Sequence, residues 1–250
     1  MGEDYVNRTY RGLFQGEDLL YFRVQVKQTD LSIGIKREYF TSGLDNEVKR
    51  RVMRLRADLE TYIASHPEFV SSLEPLHLKP GAPEIARRMA VAARMAGVGP
   101  MAAVAGAFAE EVGQFLADSP EVIVENGGDL YIRTTRERLV GIAAGKSPFS
   151  HRIAVRVRPE ESPLGLCTSS GTVGPSLSLG RADAAVIKAA NASLADAVAT
   201  GAGNRVTSPE KMLASIEYAK GIVGVTGILI IKEDKLAAWG AMELVPRASS

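Results

Sequence analysis

Cysteine is almost missing from this chain: Cys167 is the only one in 250 residues. An internal disulfide is thereby excluded, and with no CxxC pair and no cysteine–histidine spacing there is no zinc-binding motif. A lone thiol suits a reducing compartment. Histidine is nearly as scarce, and His66, His77 and His151 are too scattered to suggest a Ser/His/Asp triad or a metal-binding spacing. Neither sign of charge dominates, because 30 Lys and Arg stand against 29 Asp and Glu, a formal net charge of +1. The molecule therefore has no global field that would gather nucleic acid or an anionic membrane. No uncharged apolar run reaches the roughly 18 residues of a membrane helix. The first residues carry no basic-then-apolar leader, and Val6 stands where a myristoylation signal wants a hydroxyl. These absences predict a cytoplasmic protein whose partners are neither nucleic acid nor membrane.

What remains is ordinary globular composition, 46% apolar and 24% charged, enough to bury a full core. "LLYFRVQVKQTDLSIGIK" (Leu19–Lys36) alternates apolar and polar residues on either side of "QTD", the pattern of a β-hairpin or two adjacent strands. Next comes a helix capped by Asp45, with Val48, Val52, Leu55, Leu59 and Tyr62 at three- and four-residue spacing until Pro67 ends it. Its other face carries Lys49, Arg50, Arg51, Arg54 and Arg56; with Glu47, Asp58 and Glu60 interleaved, a solvated, locally paired face is the simpler reading than an anion site. The proline-rich stretch His66–Pro83 marks off residues 1–80 as the one candidate subregion of a single domain spanning 1–250. Two alanine-rich helices are expected at Glu84–Ala96 and Met101–Leu116. Strands are expected on both sides of Asn126–Gly128 and at Leu139–Ala143, Ile153–Val157 and Ala184–Lys188. Helices follow at Leu194–Gly201 and Pro209–Tyr218, the latter capped by Ser208, and two last strands hinge at Glu233 and Asp234. The mixed order of strands and helices predicts an α+β fold, with mixed or antiparallel sheets packed against the alanine-rich helices.

Three short segments carry candidate chemistry. In "VIVENGGDLYI", Asn126, Gly127, Gly128 and Asp129 follow a strand and expose backbone amides where a phosphate or flat ring could lie; a plain hairpin turn is the competing reading. "GLCTSSGTVGPSLSLG" offers Thr168, Ser169, Ser170 and Gly171 among other hydroxyls and glycines, the makings of an anion-cradling loop or simply a polar connection. It has no P-loop lysine and no GxGxxG spacing. Within it Cys167 is either a nucleophile or sulfur carrier, or an inert core thiol. In "ADAVAT", Asp196 and Thr200 stand four apart on one helix face, so both could reach one hard cation, although a cap or a surface aspartate explains the pair equally well. The adjacent acids Glu110 with Glu111 and Glu160 with Glu161 read as solvated charges.

The order of these three segments resembles the ApbE group, the FAD:protein FMN transferases once called thiamine biosynthesis lipoproteins, and is more closely similar to their small cytoplasmic relatives. The resemblance covers roughly residues 84–231, with "QTDLSIG" near the start also similar. It implies an ApbE-like fold and an FAD site, with Asn126–Asp129 and Thr168–Gly171 in contact with the nucleotide and Asp196 with Thr200 binding magnesium beside the pyrophosphate. The transferases carry a histidine-containing HIxDP-like segment between loop and metal helix; here the interval "TVGPSLSLGRADAAVIKAA" has none. The resemblance therefore implies binding of FAD or a related nucleotide more firmly than transfer of FMN to a protein. The resemblance also implies a link of the smaller family to anaerobic sulfur and homocysteine metabolism, which would give Cys167 a role in sulfur transfer. A scaffold that keeps the fold without chemistry is the third reading, and apolar terminal strands suit a homodimer.

Overall fold

The structure, a computed structural model, describes residues 16–171 and 180–247. The alternating N-terminal stretch forms a hairpin of β1 (Leu19–Val26) and β2 (Thr29–Lys36), with Leu19 opposite Lys36 and Val26 opposite Thr29. Helix α1 (Leu44–Ser65) follows Gly43, whose φ of 88° is left-handed; Asp45, expected as its cap, lies instead in the first turn, where its charge still favours the helix dipole. A single turn, α2 (Glu68–Ser71), precedes α3 (Glu84–Ala96) and α4 (Val104–Phe115). Between these two, Pro100–Ala103 forms a tight 3-10 turn, so α4 starts three residues later than its alanine content suggests, and the pair bends by 103°. Among the described residues no single helix is long and apolar enough to cross a membrane.

Strands then dominate: β3 (Val122–Asn126), β4 (Asp129–Arg133), β5 (Arg138–Gly141), β6 (Ile153–Val157), β7 (Leu164–Ser169) and β8 (Ala184–Ala189). After α5 (Ala192–Arg205) and α6 (Met212–Lys220) come β9 (Val225–Lys232), β10 (Lys235–Gly240) and β11 (Leu244–Pro246). Two expectations change here. Pro209–Lys211 is a separate 3-10 turn before α6, and Ser208 makes no cap bond, its hydroxyl going to the Glu210 carboxylate. More importantly, β7 occupies the first part of the glycine- and hydroxyl-rich segment expected to be a loop; Thr172, Gly174 and Pro175 lie outside the described residues.

The fold is α+β. An eight-stranded sheet runs β1-β2-β3-β4-β7-β8-β9-β10 and a three-stranded sheet runs β11-β6-β5, all neighbours antiparallel. Helices cover one face of the large sheet and the small sheet covers the other. Side chains along each central strand alternate between two cores: Val122 and Val124 meet the helices while Ile123 meets the small sheet, and Tyr131 faces the helices between Leu130 and Ile132. Burial on both faces is why these strands read as near-continuous apolar runs. The N-terminal hairpin is part of the same sheet, since β2 pairs with β3 from Leu31–Asn126 to Ile35–Val122.

Candidate functional site

The β3–β4 hairpin turns through Gly127 and Gly128 alone, with Asn126 paired to Asp129. Both glycines have positive φ, 70° and 108°, as a two-residue turn matching the twist of the strands requires. Gly127 is exposed, and a side chain there would meet open space; Glu125, fully buried, accepts the Gly128 N–H at 3.1 Å and braces the turn from beneath. The amide of Gly128 is therefore committed within the turn. Asn126 is tied down as well, its Nδ2 donating to the Ala105 carbonyl at 3.1 Å.

Strand β7 brings the second segment alongside, antiparallel to β4 and β8. Its helix-facing positions are small. A Cβ on Gly165 would sit 2.4 Å from the Ala192 Cα, and the Cys167 sulfur lies 3.4 Å from the Ala192 carbonyl oxygen. These residues let the start of α5 rest directly on the sheet. Cys167 is completely buried, and burial first, then the charges of Asp129 and Asp196, pushes its thiol well above the usual range. The single cysteine is thus a compact, protonated core side chain, with neither the exposure nor the lowered pKa of a reactive thiolate.

The third segment closes the cluster from the helix side. Asp196, 9% exposed, points from α5 at the first turn of α4, where its Oδ2 accepts the Gly106 N–H at 2.8 Å and the carboxylate also takes the Ala105 N–H. Asp129 stands nearby at the head of β4, its carboxylate bonded to the Cys167 thiol and the Thr168 N–H. Burial raises the pKa of Asp196 to about 7 despite those two amides. Burial also raises that of Asp129 well above the carboxylate range, with the Asp196 charge adding to it. Among the described residues no lysine or arginine bridges either acid. Two buried carboxylates so placed share protons or hold a cation, so the donor set fits a hard ion such as magnesium, with Thr200 one turn further along α5. No group of three or more His, Cys, Asp or Glu among the described residues is arranged to hold a metal by itself, which leaves hydroxyl, water or ligand oxygens to complete any shell.

Of the expected site residues, Asn126, Asp129, Cys167, Thr168 and Asp196 meet at this one place. Ser169 ends β7, Ser170 is buried just beyond it, and Gly171 donates its N–H to the Ala182 carbonyl at 3.0 Å. One neighbour escaped the sequence reading: Glu125, an acid inside an apolar strand. Glu110 and Glu111, expected to be solvated, are 3% and 6% exposed. Glu110 pairs with Arg88 and accepts the backbone N–H (3.1 Å) and hydroxyl (2.9 Å) of Ser193 at the start of α5, while Glu111 meets Arg51 of α1 at 2.9 Å. Glu161, of the other acidic pair, holds the buried Lys188 ammonium at 2.8 Å.

The α+β sandwich matches in fold the solved flavin transferases of the ApbE type. Similar folds are those of the Pseudomonas stutzeri flavinyl transferase ApbE (TM-score 0.51, 13% identity, 89% of this chain and 94% of that one) and the apbe protein of Thermotoga maritima (TM-score 0.51, 12% identity, 89% and 96%). At such identities the likeness is one of fold. Sequence similarity is much stronger to the UPF0280 proteins of Methanocella arvoryzae, 38% identical over 228 residues covering 90% of this chain and 91% of that one, and of Methanosarcina barkeri, 40% identical over 222 residues covering 86% and 87%. A family model described as AbpE bacteria matches residues 11–220, and the chain belongs to that family.

Proposed function

We propose that this protein binds FAD or a closely related nucleotide together with magnesium, at the junction of the β3–β4 turn, the end of β7 and the face of α5. One observation carries the reading: the Asp129 carboxylate accepts the Thr168 N–H and lies within reach of the Asp196 charge, so three segments far apart in sequence converge on one acidic point. Magnesium, when bound, would neutralise the two carboxylates and the pyrophosphate together. The chain's own residues do the rest. The α4 amides orient Asp196, Glu125 fixes the turn, and Gly127 leaves its approach open to a phosphate. Thr200 and Ser170 complete the polar lining in this reading. The fold of the flavin transferases supports a flavin ligand. Transfer of FMN to a protein acceptor lies outside the proposal, because residues 172–190 contain no histidine to match the transferases' segment. Sulfur transfer through Cys167 is likewise set aside, since its thiol is buried and protonated.

The test is a titration of metal-free protein with FAD, with and without magnesium, read by calorimetry or flavin fluorescence. Tight binding should require magnesium and should disappear in Asp196→Asn, whose amide oxygen can still accept the Gly106 N–H and keep α4 in place. Absence of binding at high micromolar FAD, with or without the metal, would end the flavin reading.

A further inference from the structure

The eight-stranded sheet has two outer strands, β1 and β10. Exposed Arg23 and Gln25 interrupt β1, the kind of polar edge that discourages pairing with another chain. β10 has no such guard: from Leu236 to Gly240 it carries neither charge nor proline, and Leu236 is 38% exposed. The register shows which of its backbone groups are free. Only Glu233 and Asp234 form the β9–β10 turn, so the flanking Lys232 and Lys235 make a hydrogen-bonded pair, as do Ile230 with Ala237 and Ile228 with Trp239. Ile231, between them, turns its carbonyl the other way, to the Asp183 N–H at 3.0 Å. The N–H and C=O groups of Leu236 and Ala238 therefore point away from β9, and among the described residues none meets them.

Helix α6 lies over β9 and β10, with the Lys220 ammonium 5.9 Å from the centre of the Trp239 ring. Tyr218 marks the opposite side of the helix, where it meets Arg205 of α5 and donates to the Ala96 carbonyl. Leu213 stands seven residues before Lys220, hence on the side turned to the open edge, and is 69% exposed. Charges flank this apolar middle at both ends. At one, Lys235 lies within electrostatic reach of Glu210, in the turn before α6; at the other, Lys220 pairs with Glu217 at 3.4 Å. Each end of the edge thus carries one base and one acid.

We infer that β10 is the two-fold interface of a homodimer, in which a second copy of this chain continues the large sheet in antiparallel register. With the axis at Ala237, Leu236 faces the second copy's Ala238, and each such pair exchanges two hydrogen bonds. The same rotation brings Lys235 and Glu210 of one copy to Lys220, Glu217 and Trp239 of the other. Acids then meet bases across the seam, and Lys235 lies beside an indole face. A copy added in parallel would instead set Lys235 beside the second copy's Lys235. The two α6 helices run antiparallel over the seam and cover the exposed Leu213. Strands β8 and β9 separate the seam from β4 and β7, so the carboxylate cluster of each copy stays remote from it.

The experiment is sedimentation velocity over a concentration series on the full chain, on Ala238→Pro and on Leu213→Glu, with circular dichroism and melting temperature to establish folding. Proline at position 238 removes only an outward N–H and leaves the β9 pairing in place. Leu213→Glu, at an exposed helix position, sets like charges together at the seam. The wild-type chain should sediment as a dimer at micromolar concentration, and each variant should weaken the dimer by about tenfold or more. If Ala238→Pro fails to fold, Leu213→Glu carries the comparison. The axis is tested separately by Ala237→Cys, which should oxidise to a disulfide-linked dimer, because opposed residues of a non-hydrogen-bonded pair lie about 4.5 Å apart at Cα, within disulfide reach. Ala57→Cys, exposed on α1, should stay uncrosslinked. A wild-type chain that is monomeric at about 100 µM would overturn the inference. So would a dimer that the folded variants leave intact, or one that Ala237→Cys does not capture.

Discussion

Single residues hold the edges of this structure through charge that burial would otherwise forbid. Glu121 is fully buried yet accepts from the Thr134 hydroxyl (2.7 Å), the Thr135 N–H (2.7 Å) and Arg138 (2.8 Å), while the Arg138 fork also grips both oxygens of Asp18 at 2.7 and 2.8 Å. Burial alone would raise the pKa of Glu121, but the hydrogen bonds from Thr135, Arg138 and Thr134 together outweigh it and hold the value below the usual 4.5. The Arg138 bond does the same for Asp18, below 3.8. Since both acids are more acidic in the folded state, the native protein carries fewer protons than the unfolded one just below those values. The stability they contribute is complete above about pH 5 and is lost as the pH falls further. Urea unfolding followed from pH 7 down to about 3 should show this loss, with a shallower acid limb in Glu121→Gln. Glu121→Ala, which leaves the Arg138 guanidinium half-paired in the interior, should cost about 3–5 kcal/mol at neutral pH.

Between elements, the tightest relation joins α4 and α5. Each supplies an acid to the other's first turn: Asp196 receives the N–H groups of Ala105 and Gly106, and Glu110 receives that of Ser193, beside Asn191, which caps α5 through the Leu194 N–H at 2.8 Å. The exchange requires close approach, because a Cβ on Gly106 would stand 2.2 Å from the Ala192 carbonyl oxygen. Gly106→Val should therefore destabilise by about 1–3 kcal/mol or more, seen as a lowered melting temperature, and should weaken magnesium-dependent ligand binding by displacing Asp196. Much at this scale could be read from the sequence. Period-two alternation located β1 and β2, the Asn-Gly-Gly turn located the β3–β4 hairpin, and the spacing of Val48 to Tyr62 located α1. Strand β7 could not be read, because its helix-facing residues are Gly165, Cys167 and Ser169, chosen for smallness against α5 and therefore lacking the β-branched signature of a strand. Asp196 was legible as a candidate only through its motif. That Asp129 and Asp196 meet, and that Glu110 is buried, depends on packing between segments whose separation no local pattern encodes.

Across the whole molecule the large sheet is a partition between two cores, and the candidate site sits against its helical side. Cys167 lies at the centre of that partition, in β7 between β4 and β8, which makes it an internal reporter. Alkylation by a small reagent should be slow in native conditions and should keep pace with global unfolding across a denaturant series, with saturating ligand slowing it further. Rapid labelling of folded protein would show that the helical layer opens locally. The mutual capping of α4 and α5 also bears on how the chain is made. The acceptor for the Gly106 amide is ninety residues downstream. As the polypeptide leaves the ribosome, α4 must wait with its first amides uncapped until α5 has been synthesised. The carboxylate cluster is thus among the last parts of the fold to be completed, and nascent chains interrupted before α5 would hold Asp129 without the second acid beside it.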